Sequence, residues 1–135
     1  MSRRTLPSLL VCAFLLACSD STSPNEGVEG TWRLQTVNAQ ALPFTLAQSG
    51  TFKEELTGEV MTLMAPGSLT IVTMFRYTEG SNVFSESIPD EGTWTVDGST
   101  VTITWESDGS TSTATVSGDT MTLQDIGLTF VYRRD

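Results

Sequence analysis

Between Gly92 and Leu123, apolar and polar residues change places at almost every step. Trp94 and Val96 alternate with Thr93 and Thr95, and Val101, Ile103 and Trp105 alternate with Thr100, Thr102 and Thr104. A period of two, with threonines on one side and large apolar groups on the other, predicts half-buried strands. Asp97-Gly98 between them is a two-residue turn of the kind that tolerates positive φ. The unit then recurs, TVDGSTVT at 95–102 being matched by TVSGDTMT at 115–122. Two copies are too few for a solenoid. They describe successive hairpins of a meander, joined by a turn at Ser107-Asp108-Gly109-Ser110.

The rest of the chain extends the same plan. Gly30 to Val37 sets Trp32 and Leu34 against Arg33 and Gln35, and Phe52 to Leu63 is a less regular strand. After a turn at Ala65-Pro66-Gly67-Ser68, Leu69 to Thr78 places Leu69, Ile71, Phe75 and Tyr77 on one face. Val72, Met74 and Arg76 then fall on the outward parity. Glu79 to Asn82 turns again, Val83 to Ile88 is a short strand, and Leu128, Phe130 and Tyr132 alternate in the last. Helical periodicity is absent; Pro43 to Gln48 holds a helical turn at most. Eight or nine strands with turns roughly every 8–12 residues suit a barrel or a sandwich. Every break after Gly67 is short, whereas an immunoglobulin-like sandwich needs longer crossings and a Cys-Trp-Cys pattern that is missing here. The expected fold is therefore all-β: one antiparallel meander of about eight strands, closed into a barrel that removes its own edges.

The first residues follow another logic. Arg3 and Arg4 are followed by an apolar run from Leu9 to Leu16, then Leu15-Leu16-Ala17-Cys18 and polar sequence. The run is well short of the ~20 apolar residues that span a bilayer, so residues 1–17 read as a signal peptide. The segment resembles the lipobox of bacterial lipoproteins. That resemblance implies cleavage after Ala17 and a thioether-linked diacylglycerol on Cys18, with palmitate-type acyl chains as the membrane anchor. The alternative is an ordinary secretory signal that leaves Cys18 as a free thiol. Residues 18–29, the lipidated cysteine and Ser19 to Glu29, carry one aliphatic residue, Val28, and read as a flexible tether. Its eleven residues after Cys18 reach at most ~40 Å and average ~18 Å as coil. The domain is expected at 30–135. Ser19 after the cysteine resembles the outer-membrane sorting default, so the expected location is the cell envelope, outer membrane before inner.

Composition then narrows the chemistry. The cysteines are Cys12 and Cys18, so processing leaves the domain without a disulfide and dependent on its core. Loss of Arg3 and Arg4 takes Lys+Arg from 7 to 5 against 16 acids, a net charge of −11. Such a surface repels nucleic acid. There is no histidine, and with it go the commonest general base, the commonest metal ligand and the Ser-His and Cys-His nucleophile pairs. Carboxylates remain: Glu54-Glu55, Asp90-Glu91 and Glu106 with Asp108. Neighbours on a strand point to opposite faces, so Glu54 and Glu55 do not converge. Asp90-Glu91 and Asp108 are expected in turns, where acids serve the backbone. No enzyme, metal or cofactor is expected.

An even-stranded meander brings its last strand beside its first, and so Arg133 or Arg134 beside Trp32. Gly30-Thr31-Trp32 resembles the G-x-W that opens lipocalin-like domains, and Thr129 to Arg134 is similar to their closing strand with its terminal arginine. Val37 to Pro43 is similar to the turn after the first strand in small bacterial lipocalin-like lipoproteins. The resemblance implies a structural role for Gly30, Trp32, Arg133 and Arg134, and a ligand-carrying barrel. The inward aromatics Phe75, Tyr77, Phe84, Trp94, Trp105, Phe130 and Tyr132 are the candidate lining of a cavity for a small apolar or amphipathic ligand. The alternative is a filled barrel, a structural or interaction lipoprotein whose outer face around Val72 and Met74 meets an unidentified protein partner.

Overall fold

A computed structural model describes residues 27–135. The expected signal peptide (1–17), Cys18 and most of the tether lie outside the described residues. Ten strands follow one another: β1 Gly30–Val37, β2 Gln40–Ala41, β3 Phe44–Ser49, β4 Phe52–Met64, β5 Ser68–Glu79, β6 Asn82–Asp97, β7 Thr100–Trp105, β8 Thr111–Ser117, β9 Thr120–Asp125 and β10 Leu128–Arg134. From β4 to β10 each strand pairs antiparallel with the next, while β1 pairs with both β4 and β10. Eight strands thus close an antiparallel barrel, and β2 and β3 lie outside the ring.

The alternation seen in the sequence is the wall of this barrel. Thr95 pairs with Thr102, Thr102 with Thr113 and Thr115 with Thr122 across the outer surface. β-branched residues in register suit a pleated, half-exposed face. On the inner face Trp94 meets Ile103 and Met121 meets Tyr132. Trp32, Met61, Val101, Ile103 and Met121 are wholly buried, and each such side chain contributes about 1.5–3 kcal/mol.

One end of the barrel is plugged. The Trp32 indole N–H donates to the Val28 carbonyl at 2.9 Å. Arg134 covers the ring and donates to the carbonyls of Glu29 and Gly27. Gly30 runs past this plug at φ 130, a conformation that side chains resist, with room for a Cβ only 3.8 Å from the Arg134 stem. Of the two terminal arginines, Arg134 therefore meets Trp32. Arg133 is exposed on the outer wall opposite Arg33. Val28, expected in the tether, is instead buried in the core, because its carbonyl and side chain complete the Trp32 plug.

The other end is irregular, and here three expectations are corrected. Pro43 to Gln48 holds no helical turn; Phe44–Ser49 is β3, laid along the first half of β4 with a bulge between Thr45 and Ala47. Val83 to Ile88 is not a separate strand but the first part of β6. Asp90-Glu91 is strand as well, not turn. β6 stays continuous because it changes partners along its length. Its first part pairs only with β5, and β7 joins at Gly92 opposite Trp105. Pro89 is tolerated where β6 is a sheet edge. At Gly92 β7 comes so close that a Cβ would collide with the Thr104 carbonyl. Beyond the ring, β3 and the far halves of β4, β5 and β6 make a four-stranded projecting sheet.

Candidate functional site

The site begins with a bulge in β4 between Leu56 and Gly58. Beyond it, Glu59, Met61 and Leu63 lie two residues apart and all three are buried. The alternation that buries Met61 thus carries a carboxylate inside as well. Glu59 is only 9% exposed. It accepts one hydrogen bond from the Thr73 hydroxyl at 2.8 Å and another from the Tyr132 hydroxyl. Burial raises the Glu59 pKa above its ordinary value; the Tyr132 and Thr73 hydrogen bonds oppose that, and the charge of Asp125 adds to it. The same burial, together with Glu59, pushes the Tyr132 hydroxyl well up.

Above Glu59 lies a cavity of about 260 Å³ that opens at the unplugged end. Its walls are Ile71, Thr73, Leu123, Phe130, Tyr132 and Trp105. Trp105 is fixed by its own N–H, which donates to the buried Ser112 hydroxyl at 2.7 Å. The rim is Asp90, Ser107, Asp108, Ser110, Asp125 and Ile126. The rim acids organise it. Ser107 donates to Asp90 at 2.8 Å, tying the loop after β7 to β6. Asp108 accepts the Ser110 amide at 2.8 Å, and bonds from Ser110 hold its carboxyl below the usual range. Asp125 accepts the Ile126 amide at 3.0 Å. Ile126 itself is 82% exposed and sits at φ 43, unusual for a β-branched residue.

Trp105, Phe130 and Tyr132 thus come together at the cavity. Trp94 does not: it is 3% exposed near the plugged end, its N–H shared between the Ser68 and Met64 carbonyls at 2.9 and 3.2 Å. Phe75 and Tyr77 stack at 6.2 Å on the projecting sheet. Phe84 pairs with Tyr77 there and is 60% exposed. These three have the inward parity, but among the described residues no wall stands opposite them beyond Gly92. Arg76, expected on the outward face, meets Glu55 there at 2.8 Å, and Lys53 approaches the same carboxylate at 2.6 Å. Those two cations, through hydrogen bonds, hold the Glu55 carboxyl low. Glu54 lies on the other face, opposite Tyr77. Glu59 was not among the sequence candidates; its parity with Met61 and Leu63 was the available signal. Among the described residues no group of three or more Asp, Glu, His or Cys side chains is placed to hold a metal ion.

An eight-stranded meander, closed by its first strand and its last and plugged by Trp32, narrows the choice of family. A family model for a lipocalin-like domain matches residues 28–123. The chain belongs to the lipocalin-like family. The match begins at Val28, the residue whose carbonyl anchors Trp32, and ends before β10. Comparison with curated proteins and with solved structures finds no match. A lipocalin-like domain is a binding fold. In this one the interior is filled at the Trp32 end and hollow at the end where β7 to β10 turn.

Proposed function

We propose that this protein is a lipid-anchored carrier of the cell envelope, holding one small ligand in the open end of its lipocalin-like barrel. The observation that carries the reading is the cavity over Glu59, walled by Trp105, Phe130 and Tyr132. Aromatic walls with a few convergent polar groups are how small-molecule sites are generally built. The anchor is Cys18, after the signal peptide. From Cys18 to Gly27 the chain spans at most ~30 Å. Gly27 lies at the plugged end, where Arg134 bonds its carbonyl. The attachment point is thus at the end of the barrel opposite the cavity mouth.

The test has two arms. The wild-type chain is expected in the detergent-rich fraction of bacterial envelopes, and the Cys18→Ser chain in the aqueous one; equal partition of both removes the anchor. Native mass spectrometry of the gently extracted protein is expected to show a bound small molecule that Trp105→Ala loses. A persistently empty barrel removes the carrier.

A second reading, a structural or interaction lipoprotein, draws on the projecting sheet. Val83 and Phe84 are each 60% exposed there, more than the Val72 and Met74 surface expected from the sequence. Crosslinking from position 84 in native envelopes is expected to trap a recurrent protein if this reading holds, and nothing reproducible if it fails.

A further inference from the structure

We propose that the cavity takes a small organic cation, an amine or quaternary ammonium bearing one ring or a short chain, with its charged nitrogen at Glu59. This rests on the carrier reading and adds the class of ligand.

Size comes first. The cavity holds about 260 Å³. That is below the 300 Å³ or more usual for drug-sized guests. A single ring or a few methylenes with a polar head fill it; a long acyl chain does not.

Charge decides the rest. Glu59, Asp90, Asp108 and Asp125 all line the cavity, and among the described residues no lysine or arginine does. The cations of the domain are engaged or placed elsewhere: Arg33 with Asp135, Lys53 and Arg76 with Glu55, Arg134 on Trp32, and Arg133 on the outer wall. A carboxylate or phosphate guest would enter a space among four acids with nothing to balance it. The rim acids alone would be a solvated edge. The cavity beneath them is one separate observation, and the carboxylate at its floor, nine-tenths buried, is another. Glu59 receives two hydroxyl donors, and an ionised carboxylate accepts about four hydrogen bonds. Acceptor capacity is left for an ammonium. No residue of the lining supplies a positive charge to Glu59, so a cationic guest is the partner that a buried carboxylate lacks. Trp105, Phe130 and Tyr132 line the same cavity, and aromatic rings attract cations.

The experiment is calorimetric titration of the full chain in nanodiscs at constant pH with three probes of like shape: 2-phenylethylammonium, 2-phenylethanol and 3-phenylpropionate. The cation is expected to bind at least tenfold more tightly than the alcohol, and the carboxylate not at all. Glu59→Gln is expected to bring the cation down to the level of the alcohol and leave the alcohol unchanged. Should Glu59→Gln fail to fold, Asp90→Asn and Asp108→Asn, at the rim, are each expected to weaken the cation about threefold. Equal binding of all three probes, or unchanged cation affinity in these variants, overturns the cation proposal and leaves a carrier of uncharged ligands. Binding of none overturns the carrier reading with it.

Discussion

The guanidinium of Arg134 lies over the indole of Trp32, its Cζ 4.5 Å from the ring centroid. The pair joins the first strand to the last at the plugged end. Among the described residues the Arg134 Nε is buried without a hydrogen-bond partner, with the Asp119 carboxylate 3.7 Å away, so the stacked ring is a principal contact of that face. Arg134→Met keeps the stem and removes the charge and the bonds to Gly27 and Glu29. It is expected to destabilise the domain by about 2–4 kcal/mol, from the cation–π contact and charged hydrogen bonds together. Arg133→Met, on the exposed wall, is expected within about 0.5 kcal/mol of wild type. Urea unfolding of the two variants measures the contrast.

Two buried carboxylates on β4 make opposite demands on pH. The Glu59 pKa lies above 4.5 in the folded protein, so the folded state binds its proton more tightly than the unfolded chain. Its contribution therefore falls as pH rises from about 4.5 through the raised value. The Glu55 pKa lies below 4.5, held by Lys53 and Arg76. Its contribution is present above 4.5 and is lost as pH falls through the lowered value. Urea midpoints from pH 3 to 8 are expected to show a loss on each side. Glu59→Gln is expected to remove the loss on the alkaline side alone, and Glu55→Gln to reduce the loss on the acid side, where Asp108 also contributes.

Ile126 stands at the mouth in a left-handed conformation. Ile126→Asn is expected to stabilise the domain by about 1 kcal/mol, because asparagine adopts that conformation more readily. It is also expected to weaken capture of apolar guests, since the rim loses its exposed hydrophobe. Thermal melts and titration with 2-phenylethanol check the two effects separately.

The partner change in β6 depends on Gly92. Gly92→Ala is expected to cost about 1–3 kcal/mol, as β7 must move off the new methyl group. Phe84→Ser, equally inward by parity but exposed, is expected to stay within about 0.5 kcal/mol. Both are read by urea unfolding.

These contrasts show where sequence pattern informs and where it stops. Trp105, Phe130 and Tyr132 sit on short strands paired on both sides, so alternation is enough to place them inside. Phe75, Tyr77 and Phe84 obey the same alternation, but pattern names a face and not what stands across from it. Whether a wall exists there depends on β7 ending at Trp105, a property of the whole ring. Glu59 was hidden by the bulge at Thr57, which shifts the parity of β4 midway and makes the strand read as irregular. Val28 was hidden by its polar neighbours. Its burial follows from a hydrogen bond to Trp32, which no local pattern records.

The ring closes through β10, the last of its strands in chain order, which lies between β1 and β9. A growing polypeptide therefore cannot seal itself until residues 128–134 have left the ribosome. Until then two rows of backbone groups stay unsatisfied, one from the oldest strand and one from the newest. Chains cut short before Leu128 are left in that unzipped state permanently, open to annealing with one another.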